Sequence, residues 1–135
     1  MRNIIMKLLY EKDSYKIRGI VYDIYKKYRN YHKESIYHNA LYIDLVKSKF
    51  NVEKNKKISI YHNGEKIGTY VPDLIINDII IIELKCKPII NLADRKQFWQ
   101  YLKASKYQLG FLINFGTPNG VEIERKIFTK NKSSV

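Results

Sequence analysis

The stretch VPDLIINDIIIIELKC, residues 71–86, decides the fold. Ile79 to Cys86 is so apolar that it reads as a central strand covered on both faces. Three charged residues interrupt this region: Asp73, Glu83 and Lys85. A charge in such a strand is costly to bury unless it is paired or binds a metal. Side chains alternate along a strand, so Glu83 and Lys85 share a face. The place of Asp73 depends on the turn. A three-residue connection of Asn77, Asp78 and Ile79 sets Asp73 directly opposite Glu83, whereas a two-residue turn sends the two carboxylates to opposite faces. The charge pattern predicts the odd-length loop or a bulge. Pro72, which cannot donate to a ladder, supports a local break in pairing beside Asp73.

Working outward, Ile17, Ile20, Val21, Ile24 and Tyr28 recur at three- and four-residue steps, which predicts an amphipathic helix from Asp13 to Tyr28. A second helix follows from Glu34 to Lys49, and the charged segment Asn51 to Lys57 reads as a loop. Ile58 and Ile60 then alternate with polar residues, Asn63-Gly64 signals a type I′ hairpin, and Lys66 to Ile76 reads as one return strand. Beyond the central strand, Asn91 caps a third helix, Leu92 to Lys106, with Asp94 in its first turn. Gln108 to Phe115 is another buried strand, and Val121 to Phe128 alternates as a trailing edge strand. The class is α/β with a mixed sheet, in the order ααβββαβ plus that trailing strand. Residues 1–128 read as a single domain and 129–135 as a frayed basic tail.

Composition narrows the function. The chain has 135 residues, 45% of them hydrophobic, enough for a core without disulfides. One cysteine, Cys86, excludes a disulfide framework and a thiolate-rich metal site within one chain. No stretch is long and apolar enough to span a membrane, and the reading is a soluble, cytoplasmic protein. Lys and Arg number 25 against 13 Asp and Glu, a formal net charge of +12. That excess favours a polyanion such as nucleic acid, because each neutralised phosphate releases condensed counterions. Lys54, Lys56 and Lys57 form one basic cluster and Arg125 and Lys126 belong to a second; both would grip a phosphate backbone without reading sequence.

Two close carboxylates beside a lysine suit a hard divalent cation. Mg²⁺ takes one or two protein carboxylates and keeps its other positions for water and phosphate. The alternative is a buried Asp/Glu–Lys ion-pair network. Pro72-Asp73, a ten-residue step, then Glu83-Leu84-Lys85 resembles the P-D…E-x-K signature of the PD-(D/E)XK nuclease superfamily, and the element order is similar to its restriction-endonuclease-like αβββαβ core. More narrowly, Tyr15 to Phe115 resembles the GxxExxY family of small nucleases. The stretches that carry this are Lys16-Ile17-Arg18-Gly19-Ile20, Glu34-Ser35-Ile36-Tyr37, Gly64-Glu65-Lys66-Ile67-Gly68, Tyr101-Leu102-Lys103-Ala104 and Leu112-Ile113-Asn114-Phe115-Gly116. Tyr31 stands where that family has its glycine.

The resemblance implies a nuclease dependent on Mg²⁺ or Mn²⁺ and acting on DNA. Asp73, Glu83 and the Leu84 carbonyl would hold metal, Glu34 would be a third acidic ligand, and Lys85 would position the attacking water. Glu34 is equally an ordinary first-turn carboxylate favoured by the helix dipole. Gln97 and Tyr101, at i and i+4 on one helix face, are similar to the Q-x-x-x-Y pair of exonuclease-like members, which lies beside the metal site and DNA. They read equally well as a surface amide and a core tyrosine. His32, His38 and His62 show no shared ligand spacing and read as surface residues, and Cys86 reads as a buried small hydrophobe. A homodimer stays open. So does a non-catalytic nucleic-acid-binding module on the same fold.

Overall fold

The apolar run forms the middle of the structure. It is β5 (Ile80–Lys85), third of five strands in a mixed sheet. On one side lie β4 (Leu74–Ile76) and, beyond it at the edge, β1 (Val52–Lys54), each antiparallel to its neighbour. On the other side β6 (Leu109–Asn114) runs parallel to β5, and β7 (Glu122–Ile127) closes the far edge antiparallel. Parallel neighbours need a long crossover. Helix α3 (Leu92–Ala104) supplies it. The computed structural model describes the backbone of residues 2–128 and the side chains of 4 and 10–128. The tail expected to fray, 129–135, lies outside them.

Both faces of the sheet are covered. On one, α1 (Arg2–Tyr28) and α2 (Glu34–Lys47) bring Ile17, Val21, Leu41 and Leu45 onto Leu74, Ile82, Leu84, Phe111 and Ile113. On the other, Phe98 and Leu102 of α3 pack with Ile75, Ile81 and Leu112, and Tyr70 joins them from the hairpin of β2 (Ile58–His62) and β3 (Glu65–Tyr70). Each such fully buried aliphatic or aromatic side chain contributes roughly 1.5–3 kcal/mol. The close approach of α3 rests on Gly110, where a Cβ would stand 2.6 Å from Phe98 Cζ. Among the described residues no helix is long and apolar enough to cross a membrane.

The register agrees with the charge pattern. Leu74 pairs with Ile82 and Ile76 with Ile80, which leaves Asn77, Asp78 and Ile79 as the connection. Asn77 and Asp78 both take positive φ, 55° and 51°, a region that Asn and Asp tolerate better than other side chains. One step back along this register, Asp73 faces Glu83. Asn91 caps α3 as expected: its side chain accepts the Asp94 N–H at 2.8 Å, and Asp94 returns a bond from the Asn91 N–H at 3.2 Å.

Three expectations need correction. Helix α1 begins at Arg2 rather than Asp13, and no Gly or Pro lies between them to stop it. The supposed loop Asn51 to Lys57 contains β1. Nothing local marks it as a strand; it forms because β4 offers an open edge, and Asn77 clamps it by donating its N–H to the Asn51 carbonyl at 2.7 Å. The single return strand Lys66 to Ile76 is two strands in two sheets, β3 with β2 and β4 with β5. Pro72 sits at the break, where it has no N–H to give.

Candidate active site

The site lies where β4 has ended and β5 runs on. Asp73 Oδ2 accepts the backbone N–H of Leu84 at 2.7 Å. Tyr70, the last residue of β3, donates its hydroxyl to Glu83 Oε2 at 3.2 Å. The Glu83 carboxyl is pushed well above the ordinary carboxylate range, first by burial and then by its hydrogen bond and charge interaction with Asp73. The Lys85 carbonyl takes the Phe115 N–H at 3.0 Å, toward β6. By strand alternation the Leu84 carbonyl therefore points to the other side, toward Asp73. Two carboxylates and a carbonyl thus converge at the sheet edge vacated by β4.

Lys85 stands on the same face as Glu83, and its ammonium lies 4.0 Å from Asp94 Oδ1. The other oxygen of Asp94 holds Lys87 Nζ at 2.6 Å. That bond to Lys87 is the main reason the Asp94 carboxyl sits below its usual range. The first-turn partner of the Asn91 cap therefore also faces the lysine of the cluster. Sequence reading assigned Asp94 only a helix-end role, and nothing local announces its ion pairs.

Glu34 approaches from the start of α2. Its carboxyl is raised by burial and by the charge of Asp73, against the opposing pull of Lys85 and His38. It faces the cluster without joining it: among the described residues no three His, Cys, Asp or Glu side chains form a ready metal cage. Tyr37, one turn along α2, fixes this approach. Its buried hydroxyl donates to the Arg29 carbonyl and accepts the His32 N–H at 3.2 Å, and its ring stacks on Phe115 at 4.5 Å. His38, expected on the surface, is half-buried with Nε2 3.3 Å from the Asp73 carbonyl. Its i+4 spacing from Glu34 was the signal that could have placed it there. Cys86, expected as a buried small hydrophobe, is only half-buried against the α1–α2 core, with Sγ 3.3 Å from the His32 carbonyl.

Tyr101 lies flat on Tyr70, ring centroids 4.3 Å apart and planes 1° from parallel. It reaches Glu83 through that ring and its hydroxyl. Gln97 is exposed, on the face of α3 that also carries Asp94 and Tyr101. Tyr70 went unnoticed in the sequence because no spacing rule links a hairpin tyrosine to a helix tyrosine on the far side of the site.

The basic residues divide. Lys57 is exposed, Lys54 lies over the Tyr42 ring at 4.3 Å, and Lys56 is engaged by Glu53 at 3.5 Å and Asp78 at 3.8 Å. In the second cluster, Arg125 and Lys126 are adjacent on β7 and point to opposite faces. Arg125 donates to Ser14 Oγ at 3.2 Å on the α1 side, whereas Lys126 sits 4.3 Å over the Trp99 ring on the α3 side. Strand alternation alone would have separated them.

Comparison with known proteins adds three findings. The solved structure of SSO0001 matches with a TM-score of 0.54 at 22% identity, over 74% of this chain and 52% of its own, a likeness of fold. This chain spans about half the length of that one. No curated protein matches. The family model of the PD-(D/E)XK nuclease superfamily matches residues 11–126, so nearly the whole described chain carries the family pattern and the protein belongs to that superfamily.

Proposed function

We propose that this protein is a divalent-metal-dependent nuclease that hydrolyses phosphodiester bonds in DNA. The observation that carries the reading is the pairing of Asp73 with Glu83. Burial and mutual repulsion leave this pair short of positive charge, and the raised Glu83 carboxyl is the mark of that shortage. The donors are carboxylates and a carbonyl, the oxygen set that Mg²⁺ or Mn²⁺ takes. Asp73, Glu83 and the Leu84 carbonyl would hold the ion, with Glu34 as a further acidic group at the rim. When bound, such an ion lowers the pKa of a water and neutralises charge that develops on a phosphoryl group.

The chain's own groups do the rest. Lys85, braced by Asp94, places a fixed donor where the attacking water and the non-bridging phosphate oxygens meet. Tyr70 orients Glu83, and Tyr101 holds the Tyr70 ring in place. Gln97 faces the strand from α3. Lys54 and Lys57 attract the phosphate backbone from the β1 side. The Glu34 and Tyr37 pair supports the narrower GxxExxY assignment, since Tyr37 locks the turn that delivers Glu34.

The test is cleavage of labelled linear, single-stranded and branched DNAs with Mg²⁺, Mn²⁺ or EDTA. Cutting that needs the cation and vanishes in Asp73→Asn supports the reading. Tight DNA binding with no cutting of any substrate would replace it with a binding module on the same fold.

A further inference from the structure

Two large apolar side chains stand in solvent beside the end of β5. Tyr31 is 80% exposed and Ile89 73% exposed, and Leu92, three residues after Ile89, is 58% exposed. Both belong to segments that are firmly held. The turn carrying Tyr31 is fixed by the Tyr37 hydroxyl, by Asn30 Nδ2 reaching the Gly116 carbonyl at 3.5 Å, and by Cys86 Sγ on the His32 carbonyl. The segment carrying Ile89 is fixed at both ends. Asn114 accepts the Lys87 N–H at 3.0 Å and donates to the Lys87 carbonyl at 2.8 Å. Ile90 is buried, and Arg95 Nη1 holds its carbonyl at 2.9 Å before the Asn91 cap begins α3. The frame therefore draws Ile90 into the core and presents Ile89 outward.

Tyr31 precedes His32, whose carbonyl meets Cys86 Sγ, and Ile89 follows the anchored Lys87, so both segments are held at the end of β5, just past Lys85. A strand whose phosphate is engaged at Asp73, Glu83 and Lys85 carries its neighbouring bases past them, because base and phosphate are covalently close. Lys85 for the phosphate and exposed apolar side chains for the base would complement one nucleotide's two chemistries. Aromatic rings stack on exposed bases, and aliphatic side chains wedge against base faces. In continuous duplex those faces are already stacked and must be opened at a cost.

Building on the nuclease reading, we propose that Tyr31 and Ile89 form a nucleobase-contact surface beside the catalytic centre, and that it directs the enzyme to DNA with unstacked bases, single-stranded or branched, over continuous duplex. The experiment compares wild type, Tyr31→Ala, Tyr31→Phe and Ile89→Ser. Binding to a fluorescein-labelled single strand and to the corresponding duplex is read by anisotropy in EDTA, and oligomeric state by sedimentation. Wild type is expected to prefer the single strand. Tyr31→Ala and Ile89→Ser should each weaken single-strand binding by about tenfold while duplex binding holds, and Tyr31→Phe should restore it. Unchanged single-strand affinity in both variants overturns the inference. So does a shift from dimer to monomer in either variant, which would assign the surface to a second copy of the chain. Mg²⁺-dependent cleavage by wild type, measured alongside, separates the two levels. If it persists while the binding result fails, only this inference falls; if wild type neither binds nor cuts DNA, the nuclease reading falls first.

Discussion

The Asp73 carboxylate accepts the Leu84 N–H at 2.7 Å, doing with a side chain what the β4 backbone no longer does. β4 begins at Leu74, and Pro72 stops the chain from pairing further back. One Asp73 oxygen thereby satisfies the backbone of β5 while the carboxyl as a whole is pressed against Glu83. The fold creates the charge crowding and anchors it with the same group.

Relieving that crowding without metal should stabilise the protein. Glu83→Gln removes the buried charge and keeps the shape, and Asp73→Asn retains an oxygen to accept the Leu84 N–H. In EDTA at a pH above the raised value of about 8, where Glu83 is ionised, Glu83→Gln is expected to raise Tm by a few degrees, since roughly 1 kcal/mol corresponds to about 3–5 °C at this chain length. Mn²⁺ should stabilise wild type by mass action and both variants much less. Equal stabilisation of all three by Mn²⁺ in a thermal scan would move the ion to another site.

The pH dependence of stability follows from the same carboxyl. In the unfolded chain Glu83 loses its proton near its ordinary value of 4.5, and in the folded protein it does so at higher pH. Between those values the folded state binds more protons, so stability is full below about 4.5 and declines as pH rises through the folded value. Tm measured against pH in EDTA should show this decline, flatten in Glu83→Gln, and flatten again in wild type saturated with Mg²⁺.

Lys85→Ala should lower the cleavage rate by about 10²–10³, the usual cost of removing one fixed donor aimed at developing charge. DNA affinity should hold, because one cation of the 25 Lys and Arg adds little to long-range attraction. Single-turnover cleavage beside equilibrium binding checks both halves. An unchanged rate in the variant excludes Lys85 from the chemistry.

Tyr70→Phe keeps the ring on Tyr101 and deletes the donor to Glu83. A hydrogen bond to a charged group is worth about 1.5–3 kcal/mol, so cleavage should fall by roughly tenfold or more. Tyr101→Phe preserves the stack and should cut near the wild-type rate. If the two variants behave alike, the hydroxyl of Tyr70 does not position Glu83.

The lysines beyond β1 should separate by their partners. Lys57→Ala is expected to reduce the salt slope of DNA binding by about one, as loss of one phosphate contact does. Lys56→Ala should change it little, since Glu53 and Asp78 already engage that ammonium. Affinity measured across a salt series gives both slopes; a larger effect at Lys56 would mean that its acidic partners yield to phosphate.

Local chemistry made much of this molecule legible from sequence. The odd-length turn, the shared face of Glu83 and Lys85, the Asn91–Asp94 cap and the two-sided burial of β5 follow from strand alternation, from the φ tolerance of Asn and Asp, and from an unbroken apolar run. Each of these depends only on neighbours within a few residues or on one strand pair. What tertiary structure decided spans longer separations. β1 is a strand only because β4 leaves it an edge, and the hairpin becomes its own sheet because Pro72 lets the chain turn away. Tyr70 meets Tyr101, and Asp94 meets Lys85, only after α3 has crossed over to lay β6 parallel to β5. Such meetings are set by how packed layers cross, and no periodicity in the chain encodes them.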